Sequence, residues 1–516
     1  MIRLFIACVL FAITACDFNR SDAEPIPPTA TTVRVVQTTL VPTVDRRLHS
    51  INTPTPTPDD SIHCQSTAGT PSTQHTVTAK VHYGAHTVEV QQAIHYINRT
   101  NETLDQIVLN VEPNRLSGAF QLETLAPEAA ISEYELTGRR LTATLADPLQ
   151  PGCALDLELD FTLNVPPVGE GISAFTGYFG YTIRQFNLGH WLVTLAPRSG
   201  GEWITHDVSF IGEQGVAEVA DWDVTISVSD APPRLMIAAP GEMTTRGEAE
   251  WHFKHSGARE FSVSMSPFYN RYAQVAENNV MVELYAFGQN EVRSPNGVVS
   301  GSQQALTAAA LSLAMYDDLF GAYPYSRFVI VQGDFPDGME FSDLVFVSDQ
   351  WFQNNPGTPD SYLTFITVHE VSHQWWYARV GSDQALTPWL DEALATYSEY
   401  IFYEEHFPDL KDWWWSFRVD NFVGGGTFSG KRVDSTVYEF ATIREYINAV
   451  YLRGAHMLHD LRDDLGTEAF FDWLARYAEA GSGRVVTPDL FWSLLTPEQL
   501  EQTRQTRVEY MTLPPQ

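Results

Sequence analysis

Alternation of apolar and polar residues dominates the chain between about residue 73 and residue 267. Short runs in which every second position is apolar recur there and are separated by turn residues. Examples are Thr87–Gln91, Leu141–Leu145, Leu155–Leu159 and Trp222–Val228. A period of two, repeated at short spacing, is typical of strands in a β-sandwich. We therefore predict an N-terminal all-β, sandwich-like domain over residues 73–267.

After residue 267 the pattern changes to a mixture of strands and helices. Strand-like runs occur at Val280–Phe287, Phe328–Gln332 and Leu344–Val347, and longer runs have helical periodicity. The predicted helices are Ala305–Phe320, one around residue 369, one after residue 388, Tyr446–Leu465, Thr467–Ala480 and Pro488–Leu495. The chain is thus predicted to be multidomain, with an α+β domain over residues 268–465 and a short helical region over residues 466–516.

The N-terminus has the features of an export signal. One positive residue, Arg3, is followed by an apolar run and by small residues, and the run is too short to span a membrane. Its end, Ile13-Thr14-Ala15-Cys16, resembles a bacterial lipobox. We predict a lipoprotein signal peptide over residues 1–15 and lipidation of Cys16, with an ordinary signal peptide cleaved nearby as the alternative. Residues 16–72 are rich in proline, threonine and serine, which favours an extended tether.

These features predict an exported lipoprotein of the cell membrane that faces the extracytoplasmic side. The lipid anchor would be its only contact with the membrane. If Cys8 is removed and Cys16 is lipidated, Cys64 and Cys153 are the cysteines that remain. They could form a single disulfide in an oxidising compartment, although the sequence does not show that they are close.

The charge balance argues against a nucleic-acid partner. The chain has 31 Lys and Arg residues against 64 Asp and Glu residues, a net charge of −33, so no basic face is available to neutralise phosphates. We interpret the acidity as a means of staying soluble outside the cell. The content of 44% hydrophobic and 12% aromatic residues indicates packed domains.

The segment Val368–Tyr377 contains the motif His369-Glu370-x-x-His373. Residues four apart lie on one face of a helix, so the two imidazoles could bind one metal ion, most often zinc. Glu370 would then lie close to the ion and could take a proton from a metal-bound water. The alternative is that two core histidines fall at helical spacing by chance.

A third ligand is available downstream. Thr387-Pro388 is a natural start for a second helix, and Glu392 on that helix follows His373 with 18 residues between them. A catalytic zinc ion needs three protein ligands and one open position. The sequence therefore predicts one Zn²⁺ ion bound by His369, His373 and Glu392.

With these ligands in this order, the chain resembles the gluzincin aminopeptidases, the family of aminopeptidase N and leukotriene hydrolase, over roughly residues 80–480. The resemblance implies a thermolysin-like α+β catalytic domain. Where the family carries Gly-Ala/Gly-Met-Glu-Asn, this chain has the segment 337–341, Asp-Gly-Met-Glu-Phe. The resemblance implies that Glu340 binds the α-amino group of the substrate, with Gly338 and Met339 in the same substrate-binding segment. Asp337 and Phe341 depart from the family pattern.

Tyr451-Leu452-Arg453-Gly454-Ala455 resembles the family's Tyr-Glu-Lys-Gly-Ala segment, whose tyrosine donates to the oxyanion, and Tyr446 matches a second family tyrosine near the substrate. Asp391 replaces the asparagine that usually precedes the third ligand.

Two further residues are candidates for supporting roles. Glu399, seven residues after Glu392, could orient a ligand histidine, or it could be a solvated or capping charge. Gln185 is a weak candidate for a second contact with the substrate's amino group.

The predicted function is that of a zinc-dependent aminopeptidase. It would remove N-terminal residues from peptides with a free N-terminus, using a metal-activated water with Glu370 as general base and Tyr451 as oxyanion donor. One alternative is a thermolysin-like zinc endopeptidase, which has no use for Glu340. An alternative of another class is a non-catalytic, surface-anchored binding protein on a peptidase scaffold.

Overall fold

The computed structural model describes residues 62–64, 72–169, 175–294, 297–336, 338–424 and 430–512. The predicted signal peptide (1–15), the lipidation site Cys16, nearly all of the predicted tether (16–72) and the departure at Asp337 lie outside the described residues. Within the described ranges, we find no helix long and apolar enough to cross a membrane.

The first half of the described chain is built of β-strands, which confirms the predicted β domain. Each of the four alternating runs lies inside a strand. The strands are β1 (Ile62–His63), β2 (Thr73–His82), β3 (Thr87–Ile97), β4 (Leu104–Asn110), β5 (Phe120–Ala126), β6 (Ile131–Thr137), β7 (Arg140–Leu149), β8 (Ala154–Asn164), β9 (Phe179–Tyr181), β10 (Phe186–Leu188), β11 (Thr194–Leu195), β12 (Arg198–Ser199), β13 (Glu202–Trp203), β14 (Ala220–Ser229), β15 (Met236–Ala238), β16 (Glu242–Arg246), β17 (Glu250–Ala258) and β18 (Val263–Ser266).

Three sheets make up most of this domain. The largest has the strand order β1-β8-β3-β2-β14-β17-β16, with β5 also paired to β8. The β2–β14 pair is parallel and the other pairs of this sheet are antiparallel. Two four-stranded sheets, β11-β4-β7-β6 and β15-β18-β10-β9, complete the domain. In β2, Val77, Ala79 and Val81 are buried and the residues between them are exposed, as the period of two predicts.

Cys64 and Cys153 form a disulfide in the structure. The short strand β1 pairs with the start of β8, with Ile62 opposite Leu155. This pairing brings the residue after β1 next to the residue before β8, although 89 positions separate the two cysteines along the chain.

The second half mixes strands and helices, as predicted. Its strands are β19 (Asn270–Val275), β20 (Met281–Ala286), β21 (Glu291–Ser294), β22 (Gly297–Ser300), β23 (Arg327–Gly333), β24 (Met339–Phe341), β25 (Leu344–Ser348), β26 (Val380–Ser382) and β27 (Arg484–Val486). Five of them form a sheet in the order β19-β20-β23-β25-β24, in which β24 is an edge strand. The central pairs are parallel and both outer pairs are antiparallel.

Helices pack against one face of this sheet, and the β domain packs against the other. After α1 (Phe175–Tyr178) in the β domain, the helices are α2 (Gly301–Phe320), α3 (Asp349–Gln353), α4 (Tyr362–Ser372), α5 (Trp389–His406), α6 (Lys411–Trp414), α7 (Asn421–Val423), α8 (Ile443–Tyr446), α9 (Arg453–Leu465), α10 (Thr467–Ala480), α11 (Pro488–Ser493), α12 (Pro497–Gln502) and α13 (Arg504–Tyr510). Helix α2 begins earlier than predicted because the Ser300 side chain accepts a hydrogen bond from the Gln303 amide.

The last helices share the core of the catalytic region. Buried side chains of α10 and α11, including Trp473, Tyr477 and Phe491, belong to the same apolar cluster as Trp376 and Trp389 beside the predicted zinc motif. A short parallel pair, β26–β27, also ties the segment before α5 to the segment after α10.

Candidate metal centre and active site

Helix α4 carries the first two residues of the motif. The Ser361 side chain caps its N-terminus by accepting from the Thr364 amide. His369 and Glu370 lie in its last turn, and His373 follows its last residue directly. There the chain passes into a π-helical turn, Gln374–Arg379. Both histidines and Glu370 are buried, so the motif lies in the interior of the catalytic domain.

His369, His373 and Glu392 come together in the structure. Their donor atoms all lie within 4.8 Å of one another. The Glu392 Oε2 atom is 3.3 Å from His369 Nε2 and 3.8 Å from His373 Nε2. Bonds of about 2.0–2.2 Å in a tetrahedral zinc site place ligand atoms about 3.3–3.6 Å apart. The nitrogen and oxygen donors and their spacing therefore fit a zinc ion.

Glu399 hydrogen-bonds the His369 imidazole through the ring nitrogen that does not face Glu392. Its Oε1 is 2.9 Å from His369 Nδ1, so the Nε2 atom is left to face Glu392. Arg418 donates two 3.0 Å hydrogen bonds to the same carboxylate and Trp414 donates one of 3.0 Å. Glu399 is fully buried, which is not the position of a solvated charge. A partner of this kind fixes the tautomer and orientation of a metal-binding histidine.

Asp391 orients the imidazole of His373 in the same way. Its Oδ1 lies 2.6 Å from His373 Nδ1. Burial lowers the pKa of His373, but Asp391 and Glu340 outweigh burial and raise this pKa well above its usual value. A bound metal ion would displace the proton from Nε2, since only the neutral ring is a ligand.

Glu370 is packed against Gly338. A Cβ atom at position 338 would lie 2.0 Å from Glu370 Oε1, so any other residue there would displace the Glu370 carboxylate. Donor atoms of Glu370, Glu340 and His373 also lie within 4.8 Å of one another. The structure thus brings the predicted base and the predicted amine-binding residue to the same side of the donor set.

Edge strand β24 presents Glu340 to the site. Successive residues of a strand point to opposite faces, and the side chains of Met339 and Phe341 belong to the apolar core of the β domain. The Met339 side chain is buried in that core and only 3% exposed, and the predicted part of Met339 in substrate binding stays a prediction. Phe341, which stands where the family has asparagine, packs against the ring of His190 with centroids 4.9 Å apart.

The Glu340 carboxylate lies in an unusual electrostatic environment. Burial raises its pKa well above the usual range, and Glu213 and Asp391 raise it further, although His373 opposes them. Such a buried carboxylate is stabilised in its charged form by a cation placed beside it. An ammonium group at this position would supply that cation.

The two predicted tyrosines stand next to the donors. The Tyr451 ring stacks on the His369 ring with centroids 5.9 Å apart. Tyr446 packs edge-on against Tyr451. Burial raises the pKa of both hydroxyls well above 10, so both are neutral donors at physiological pH. Tyr451 lies in a π-helical turn, a feature frequent at functional sites.

The β domain contributes a residue that sequence reasoning missed. Gly212, with φ +62°, lies so close to Tyr446 that a Cβ atom would be 3.1 Å from the hydroxyl. The next residue, Glu213, faces the donor set, and desolvation together with Glu392 and Asp391 raises its pKa to about 8. A single acid in a loop, outside any motif, gives no sequence signal.

Gln185, the weak candidate for a second amine contact, lies elsewhere. Its buried side chain hydrogen-bonds the Tyr269 hydroxyl, the Gln332 carbonyl and the Asp334 amide. These contacts join the β domain to strand β23, and this assignment is therefore wrong.

We expect Glu399→Gln to weaken metal binding. The amide keeps the shape of the side chain but removes the charge that orients His369, and loss of such a partner typically costs about 10–100-fold in metal affinity. Competition with a chromogenic chelator measures this. Glu404→Gln on the same helix, which removes a carboxylate paired with Arg462, is the control and should leave the affinity unchanged. Equal affinities in the two variants would contradict the role of Glu399.

Comparison with known proteins agrees with this geometry. The model of the peptidase family M1 domain matches residues 304–510, a range that includes the three donors, Glu340, Glu370 and Tyr451. Endoplasmic reticulum aminopeptidase 2 of Homo sapiens is 28% identical over 207 residues, covering 38% of this chain and 22% of that protein. Aminopeptidase M1 of Arabidopsis thaliana is 24% identical over 205 residues, covering 37% and 23%. The chain therefore matches less than a quarter of the length of these two relatives.

A solved structure supports the fold over most of the chain. The M1 zinc metallopeptidase of Deinococcus radiodurans superposes with a TM-score of 0.59 at 19% identity, covering 88% of this chain and 95% of that one. The described chain thus has the fold of that structure, with the β domain N-terminal to the region that holds the donor set. Residues 304–510, which carry the donor set, are therefore similar to the peptidase family M1 domain.

Proposed function

We propose that this protein is a zinc-dependent aminopeptidase that hydrolyses the N-terminal residue from peptides. The observation that carries the proposal is the buried Glu340 carboxylate, which lies within 4.8 Å of donor atoms of His373 and Glu370. A fixed carboxylate next to a hydrolytic centre selects peptides with a free amino group over internal peptide bonds. The relatives named as aminopeptidases support the same activity.

His369, His373 and Glu392 would hold one zinc ion. When bound, zinc acts as a Lewis acid toward the substrate carbonyl and lowers the pKa of a coordinated water to about 7. The buried partners Glu399 and Asp391 hold the two imidazoles in the orientation that binding requires.

Glu370 is the proposed general base. It accepts the proton of the attacking water and passes it to the amine that leaves. The Glu370 carboxylate lies close to Gly338 and within 4.8 Å of donor atoms of His373 and Glu340. The base that activates the water and the carboxylate that binds the N-terminus would then lie next to each other.

Tyr451 and Glu340 complete the proposed machinery. The Tyr451 hydroxyl, a neutral donor, stabilises the carbonyl oxygen as negative charge develops on it. Glu340 accepts hydrogen bonds from the α-ammonium group, and the backbone at Gly338 and the Tyr446 side chain border the same space.

Hydrolysis of aminoacyl-coumarin substrates by the purified protein tests the proposal. We expect release of coumarin that a chelator abolishes and added zinc restores, with one zinc ion per chain by elemental analysis. No hydrolysis by a zinc-loaded protein would favour a non-catalytic binding protein and overturn the proposal.

We further propose that the chain is exported and anchored through a lipid on Cys16, with no other membrane contact. The Cys64–Cys153 disulfide supports this, because such bonds persist in oxidising compartments. Cells fed a labelled fatty acid should label the protein but not its Cys16→Ser variant. An unlabelled parent protein would contradict the anchor.

A further inference from the structure

Gln384 lies between two carboxylates of the site that have different proposed roles. It is 6% exposed, in the loop between β26 and α5. Its side-chain amide donates 2.8 Å to Asp391 Oδ2 and 3.2 Å to Glu340 Oε1. Asp391 orients the metal-binding His373, and Glu340 is the proposed acceptor of the substrate's ammonium group. Gln384 is therefore a direct bridge between the two.

The backbone of Gln384 is held on both sides. The Asp383 carboxylate accepts from the amides of Ala385 at 3.2 Å and Leu386 at 3.1 Å, and it lies 2.8 Å from His206 Nε2 of the β domain. The Val437 amide donates 3.0 Å to the Ala385 carbonyl. Because the backbone of this loop is fixed, the Gln384 side chain has little freedom to move. It can therefore hold its two hydrogen-bond partners in place.

The chemistry of the bridge fits its two partners. A primary amide nitrogen has two hydrogens and can serve two acceptors at once. With the amide reversed, its oxygen would face two carboxylate oxygens, so the neighbours fix its orientation. The donated hydrogen bonds also offset part of the repulsion between these two buried carboxylates.

We propose that Gln384 is a positioning residue that fixes the Glu340 carboxylate relative to the Asp391–His373 pair. It thereby sets the distance between the acceptor of the α-ammonium group and the metal centre. This distance determines that the scissile bond is the first one of the peptide. The inference rests on the proposed aminopeptidase function.

The test uses Gln384→Met in the full exported chain at saturating zinc. Methionine has similar length and no donor. We expect the KM for an aminoacyl-coumarin substrate to rise about 10-fold, as for the loss of a hydrogen bond to a charged group, while kcat changes less than about threefold. Binding of a free amino acid, followed by calorimetry, should weaken by the same factor. An unchanged KM and an unchanged amino-acid affinity would overturn the inference.

A double-mutant cycle with Glu340→Ala separates positioning from a general structural effect. If Gln384 acts through Glu340, the Met substitution adds almost nothing to the KM of Glu340→Ala. Additive effects would overturn the inference. Gln332→Met is the matched control, because it removes a buried glutamine that also donates to a carboxylate, that of Asp349, and it should leave KM unchanged.

Failure of the proposed function and failure of the inference give different results. A zinc-loaded parent protein without hydrolysis contradicts the proposed function itself, whereas an active parent with a normal Gln384→Met variant contradicts only the inference. If the methionine variant does not fold, Gln384→Asn replaces it. The shorter side chain keeps the amide but cannot reach both carboxylates, so the same rise in KM is expected.

Discussion

Replacing Glu370 with glutamine should lower kcat by about 10²–10⁴-fold, the contribution of a general base, while zinc stays bound. Glutamine keeps the size that the contact with Gly338 demands but cannot accept the proton of the attacking water. The proposed ligands are His369, His373 and Glu392 and do not include Glu370, so the zinc affinity should change little. Steady-state rates on an aminoacyl-coumarin substrate and zinc content of the same sample measure both effects.

An exposed acid on helix α5 provides the control for this variant. Glu405→Gln removes one carboxylate from the surface and should behave as the parent protein does. Loss of zinc together with activity in Glu370→Gln would mean that Glu370 is a ligand, and full activity would mean that another group is the base.

The second large effect is expected for Tyr451→Phe. The ring stays stacked on His369, but the hydroxyl that would donate to the developing oxyanion is lost. Removal of one such donor typically lowers kcat by about 10²–10³-fold. Because the carbonyl oxygen gains its charge only in the transition state, KM and zinc content should change little.

Tyr510→Phe is the matched control for Tyr451→Phe. It removes a buried tyrosine hydroxyl that donates 2.7 Å to Asp460. This variant should retain the parent kcat. If Tyr451→Phe raises KM and leaves kcat intact, the tyrosine binds the substrate and is not the oxyanion donor.

The parts of the site that the sequence predicted depend on local geometry. His369 and His373 meet because a helix places residues four apart on one face. Glu392 reaches them because Pro388 starts helix α5 just before it. The β domain was predictable for a similar reason, since alternation with a period of two requires no knowledge of distant contacts.

The supporting contacts depend on segments far apart in the chain. Gln384 and Glu340 are 44 positions apart, and Arg418 is 19 positions from Glu399. Gln384 and Arg418 are common residue types outside any motif, so only the packing of their segments against β24 and α5 shows that they meet Glu340 and Glu399. The family resemblance located Glu340 and Tyr451 but did not reveal what holds them.

The direction of the side chains next to Glu340 follows from the sequence. In a strand, the residue next to Glu340 must point away from the face that Glu340 uses. Gly338 has no side chain, and the space that a Cβ atom would occupy is filled by the Glu370 carboxylate.

The β domain contributes to the site as well as to the fold. Its Gly212–Glu213 turn packs against Tyr446, and its His190 ring packs against Phe341. Such contacts form a wall on the side of the proposed ammonium pocket. They also explain how phenylalanine is accommodated where the family has asparagine.

The most direct test of the aminopeptidase assignment compares one peptide with a free N-terminus and the same peptide N-acetylated. The zinc-loaded protein should release the first residue of the free peptide and leave the acetylated peptide intact, because Glu340 requires an ammonium group. Cleavage of both peptides at an internal bond would contradict the assignment and identify an endopeptidase.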